Sequence, residues 1–145
     1  PINIESVKVG YGPVMFRGRA ASKLLGKTLL KPWTQFIECP HEDLKNPSRV
    51  HLDPLGYVHL CQGLCMGNAW KQPFSEIITS YEPLSHPVVN VLLQGGPAVL
   101  VKEFGLPHGE YYADACHLCY EARLQLRSKF PDVLAPGQMY GEGLE

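Results

Sequence analysis

The sequence has no apolar run near the roughly 18 residues needed to cross a bilayer, and no charged-then-apolar signal pattern at its start. It also has no basic block that would track a phosphate backbone, since 13 basic and 14 acidic residues are mixed along the chain for a net charge of −1. No internal repeat and no low-complexity tract is present. A soluble, cytoplasmic protein is therefore expected, without a nucleic-acid or membrane partner. A secreted disulfide framework is disfavoured, because the five cysteines are odd in number and spread through 145 residues. What remains is a chain with 45% hydrophobic residues, enough to bury the core of one domain.

The opening run Ile2 to Val9, followed by residues 13–16, reads as one or two buried strands broken at Gly12 and Pro13. A chain that begins at Pro1 directly in such a run is expected of a processed protein or the C-terminal piece of a longer one. Residues 21–30 suit a short helix weakened by Gly26, and Pro32 and Pro40 bracket a loop carrying Cys39. The clearest local signal is the turn Asp53, Pro54, Leu55, Gly56, which predicts a hairpin pairing residues 49–52 with 57–61. In that register Leu52 faces Val58, His51 faces His59, Val50 faces Leu60 and Arg49 faces Cys61. Alternation then places Val50, Leu52, Val58 and Leu60 toward the core, with His51, His59 and Cys61 opposite.

Beyond Asn68 the pattern is helical. Helices are predicted over residues 74–81 and 88–94, the second with Ser85 as cap and Gly95 past its end, followed by a short turn from Pro97 that stops before Gly105. The longest helix starts after Asp114 and runs on Ala115, Leu118, Ala122, Leu126 and Phe130 to Pro131. Residues 136–145 read as a loose tail. The fold class is α+β, a hairpin and a few short strands packed with three to five helices.

Cys116 and Cys119 lie three apart in the first turn of that helix, so both thiols leave from one face, where the helix N-terminus favours thiolates. Cys61 ends a strand on the face opposite the hairpin's apolar stripe, and Cys39 sits in the proline-broken loop. Four thiolates suffice for tetrahedral zinc or a cubane iron-sulfur cluster. The expected metal site thus comprises Cys39, Cys61, Cys116 and Cys119, between the hairpin and the C-terminal helix. Cys65 and His41 stand as alternative ligands. His51, His59 and His117 are expected around the site rather than on it, and Arg123 follows Cys119 by one turn, where it either compensates charge or faces solvent. Haem attachment is excluded, because Tyr120 follows Cys119 where histidine is required.

The order Cys39, Gly56, Cys61, Gly67, Asn68, followed by a helix and the pair Cys116 and Cys119, resembles the auxiliary-cluster SPASM or twitch subdomain of radical SAM enzymes. Residues 17–20 resemble the end of a late barrel strand in that family. The resemblance implies a barrel remnant over residues 1–30 and a metal-binding twitch-like domain over 31–135. It implies a 4Fe-4S cluster that relays electrons, supports the fold or positions a peptide or small-molecule substrate. The family's CxxxCxxC motif is missing, since Asn68 stands where a third cysteine would follow Cys61 and Cys65. S-adenosylmethionine would therefore bind only to a barrel lying upstream or in a separate chain, and this chain would be part of an enzyme without its SAM-cleaving site. The competing reading is a non-enzymatic, zinc-stapled module that binds a protein partner.

Overall fold

The computed structural model describes residues 12–143, leaving aside the side chain of Lys27. The strand expected over Ile2 to Val9 lies outside the described residues. Residues 13–16 form no strand. Instead the Phe16 amide donates to Asp114 Oδ2 at 3.2 Å, which ties this segment to the start of the last helix. A short helix α1 (Arg19–Lys23) and a 3-10 turn (Leu25–Lys27) follow.

Two small antiparallel sheets are present among the described residues. Strand β1 (Lys31–Pro32) pairs with β5 (Tyr111–Tyr112), bringing the approach to Cys39 beside the approach to Cys116. The other sheet is ordered β2 (His51–Leu52), β3 (Tyr57–Cys61), β4 (Leu64–Asn68). Its first hairpin has the expected register, His51 against His59 and Leu52 against Val58. The turn explains why: Asp53 Oδ1 accepts from the Leu55 and Tyr57 amides at 2.8 and 3.0 Å, while Gly56 takes φ 83° with the Trp70 ring against it.

Two expectations fail here. The ladder does not extend to Val50 or Arg49, because Arg49 turns to Glu42 at 3.1 Å. Nor does alternation hold, since Val58, His59 and Leu60 are all buried whereas Leu52 is exposed. The reason is β4, a strand absent from the sequence-based expectation. It makes β3 a central strand, and register shifts on either side of His59 break the two-residue period.

Helix α2 (Phe74–Thr79) is a short element packed on β4 through buried Ile77. Helix α3 (Val89–Glu103) is broken into residues 89–94 and 97–103 by non-helical Gly95 and Gly96, as expected from the sequence. Its start is capped by His86 rather than Ser85. His86 Nδ1 accepts from the Val88 and Val89 amides, both at 3.2 Å, and so Nε2 carries the hydrogen and donates to the Cys65 carbonyl at 3.2 Å. Burial lowers the pKa of His86, and both acceptor bonds require the neutral ring. The folded state therefore binds this proton less readily than the unfolded chain. Stability from this group is present above the unfolded pKa of about 6.5 and falls as pH drops below it. The urea midpoint should fall between pH 7 and pH 5, and His86→Gln should flatten that part of the profile while lowering stability at pH 7. An equal slope in both proteins would remove His86 as the cause.

Helix α4 (Ala115–Leu126) is capped by Asp114, whose Oδ1 accepts from the His117 amide at 2.7 Å. Its stripe of Ala115, Leu118, Ala122 and Leu126 is buried against α3 in one core cluster that also holds Leu60, Leu64, Val89 and Leu100. The segment after Pro136 is not loose as far as Tyr140. It forms a 3-10 turn (Gly137–Tyr140), and the buried Tyr140 donates to the Gly63 carbonyl at 2.7 Å. No helix among the described residues is long and apolar enough to cross a membrane.

Candidate metal centre

Five separate stretches of chain surround one small cavity, and three of them carry the cysteines. The Cys61 side chain reaches it from the end of β3, and Cys116 and Cys119 from the first two turns of α4. Cys39 enters on the irregular segment 36–50. That segment is held on both sides, because Phe36 O accepts from the Ala98 amide at 3.0 Å and Leu44 O accepts from the Tyr81 hydroxyl at 2.6 Å. Apolar groups of Leu44, Leu64, Leu92 and Pro97 complete the walls. All five cysteines are free thiols.

The enclosed space is about 30 Å³, room for roughly two water molecules. Among the described residues, no three His, Cys, Asp or Glu side chains stand close enough together to hold a single metal ion as they are arranged. The cysteines ring the cavity without closing on one point.

No family model, curated protein or solved structure matches the chain.

The helix N-terminus was expected to favour thiolates, but burial dominates. Burial pushes Cys119 up to about 11, opposed by the Arg123 guanidinium. Burial, with the Asp114 carboxylate adding to it, pushes Cys116 up to about 12. Cys61 is also raised by burial, with Arg123 pulling the other way. These groups are neutral thiols at pH 7 in the metal-free protein, and a thiophilic metal must displace their protons to bind.

Of the other residues singled out from sequence, His41 and Arg123 line the cavity and the rest do not. Cys65 is buried on β4, its Sγ donating to the Gly67 carbonyl at 3.1 Å, and is absent from the cavity wall. His51 lies 3.7 Å from Glu42 and is half exposed. His59 is buried and bonds Asp53 Oδ2 at 3.0 Å through Nε2, leaving Nδ1 without a partner among the described residues. His117 accepts from the Ala113 amide at 3.2 Å and donates to Glu121 at 3.0 Å, so it stabilises the start of α4.

Arg123 is not on a solvated face. It is 2% exposed, and its side chain reaches the Cys119 carbonyl at 3.3 Å, the Gln62 carbonyl at 2.8 Å and Cys61 Sγ at 3.8 Å. Two wall residues had no role in the sequence reading of the site: Arg17, delivered by the Phe16–Asp114 bond, and Glu42, which follows Cys39 by three. Neither position has a periodicity or spacing signal.

Proposed function

We propose that Cys39, Cys61, Cys116 and Cys119 ligate an iron-sulfur cluster, and that the chain is the auxiliary-cluster portion of a radical SAM enzyme. The observation that carries this reading is the common cavity: four thiols from three separate parts of the chain face one apolar space with Arg17 and Arg123 in its wall. Tetrahedral zinc, with bonds of about 2.3 Å, needs its sulfurs within about 3.8 Å of one another. No three of the described donors are so placed, and either a zinc ion or a cluster would have to move the thiols into position.

Bound there, a cluster would supply one-electron chemistry. The chain's own contribution is to present four sulfurs, keep water out with the leucines of the wall, and hold the centre at a fixed distance from whatever docks on it. With all four thiols engaged no iron is open to substrate, which favours electron relay or structural support over direct substrate binding. The reaction itself would belong to a barrel elsewhere in the same chain or in another, because this sequence lacks CxxxCxxC.

The zinc-stapled module has one observation in its favour, the small size of the cavity, about 30 Å³. A cubane would have to push the Cys39 wall outward, whereas a zinc ion would draw the sulfurs in. Anaerobic purification followed by reconstitution with iron and sulfide separates the two. The cluster reading expects a broad absorption band near roughly 400 nm with about four iron and four sulfide per chain. A colourless protein holding one equivalent of zinc would reject it.

A further inference from the structure

We propose that Arg123 is the built-in counter-cation of the thiolate centre, giving an N–H···S hydrogen bond to Cys61 that raises the centre's reduction potential. The inference rests on the cluster reading above and adds to it the residue that tunes the centre.

The charge around Arg123 is out of balance. Arg123 is 2% exposed, yet among the described residues no carboxylate lies within salt-bridge distance of it. The other arginines with ion pairs are at least partly open to solvent: Arg49 meets Glu42 at 3.1 Å, and Arg127, one turn beyond Arg123, meets Glu142 at 2.6 Å. Burying a charged group without an opposite charge is strongly unfavourable. The carbonyls of Cys119 and Gln62 accept from its Nε and Nη1 but bring no net charge. Tyr140 accepts from Arg123 at 3.4 Å while donating its own O–H to the Gly63 carbonyl, so it is a neutral phenol.

That leaves sulfur. The guanidinium reaches Cys61 Sγ at 3.8 Å, within the distance of an N–H···S bond, and lines the same cavity as all four cysteines. Thiols are neutral when free and anionic when they hold a metal, and four thiolates outweigh the positive charge of a 4Fe-4S core. The centre is then the anion that Arg123 lacks. The tyrosine ring, with the guanidinium 5.8 Å from its centroid, and the two carbonyls fix the fork in place so that it cannot swing to solvent. A fixed cation and a hydrogen bond to a ligating sulfur both favour the form with the extra electron, which raises the potential.

The test is an anaerobic redox titration of the reconstituted full chain with dithionite, followed by electron paramagnetic resonance, for wild type, Arg123→Gln and Arg123→Lys. Arg123→Gln should shift the reduction equilibrium at least tenfold toward the oxidised form, about 59 mV for one electron. Arg123→Lys should recover most of that shift by restoring the charge. In wild type, exchange into deuterium oxide should shift the iron–cysteine stretching bands in resonance Raman spectra. A loaded Arg123→Gln protein with an unchanged potential overturns the proposal. If Arg123→Gln fails to take up iron, the wild-type Raman spectrum decides, and bands unmoved by deuterium overturn the proposal as well. A wild-type chain that binds no cluster defeats the cluster reading itself, a result visible before any variant is made.

Discussion

Replacing Cys116 and Cys119 together by serine is expected to abolish iron and sulfide uptake and to lower the melting temperature of the reconstituted protein by more than about 10 °C. The two thiols leave one helix face, and no other described cysteine can take their place, since Cys65 is buried on β4 outside the cavity wall. Removing them leaves Cys39 and Cys61 with a centre they cannot hold. Structural metal sites contribute to folding directly, by about 10 kcal/mol or more in small zinc domains. This chain has a substantial core of its own, so only part of such a sum should appear as lost stability. A loss of a few kcal/mol corresponds to about 10 °C in a domain near this size. Iron and sulfide assays with a thermal melt of holo and apo protein check both statements. Melting curves that coincide for wild type and variant under reconstituting conditions would mean that these cysteines are simply small core residues.

Gly96→Ala should destabilise the fold by about 3 kcal/mol and weaken cluster loading, although position 96 carries no ligand. Gly96 takes φ 64°, where a side chain is strained, and a Cβ there would fall inside the backbone of Ile37 and Glu38, next to Cys39. Left-handed strain and enforced overpacking each cost about 1–3 kcal/mol. The clash is with backbone, so it cannot be relieved by turning a side chain. Either the break in α3 straightens, or the segment bearing Cys39 moves away from the other three cysteines. Gly105→Ala is the control: φ there is 58°, but the space around it is open, so only strain is added and loading should be unaffected. Urea unfolding gives the stability difference and iron content the loading. Equal losses in the two variants would show that the close approach of Gly96 to residues 37 and 38 has no bearing on the site.

The parts of this fold that were legible in the sequence are those fixed by local chemistry. The Asp53–Gly56 turn set the register of β2 against β3, Asp114 marked the start of α4, and Gly95 and Pro97 marked the break in α3. Strand β4 was missed because residues 64–68 include a glycine and an asparagine and no β-branched side chain. Gln62 and Gly63 were the available clue, a two-residue connection whose glycine takes φ 77°. Missing β4 also misplaced His59, which alternation put on an outer face and a central strand buries. Ser85 was the better cap by composition, but His86 reaches two amides at once from a turn whose geometry no local rule supplies.

At the site, Cys39, Cys61, Cys116 and Cys119 line one cavity, and Cys65 does not. Arg123 was visible as a residue one turn past Cys119, yet charge alone argued for a solvated face. Only the three-dimensional packing of Tyr140 and the β3–β4 turn over it decides otherwise. Arg17 and Glu42 arrive through long-range contacts and leave no trace in spacing.

The sequence separation of the four thiols has a consequence for the unfolded chain. From Cys39 to Cys61 is 22 residues, and from Cys61 to Cys116 is 55, by subtraction of their positions. A centre bound to all of them acts as a cross-link that closes both intervals. By the chain-entropy relation used for disulfides, loops of those sizes restrict the denatured ensemble by about 3 and about 4 kcal/mol respectively. The sheets here are short, and strands β1, β2 and β5 have two residues each. A centre at this position would therefore stabilise the protein largely by limiting where the unfolded chain can go.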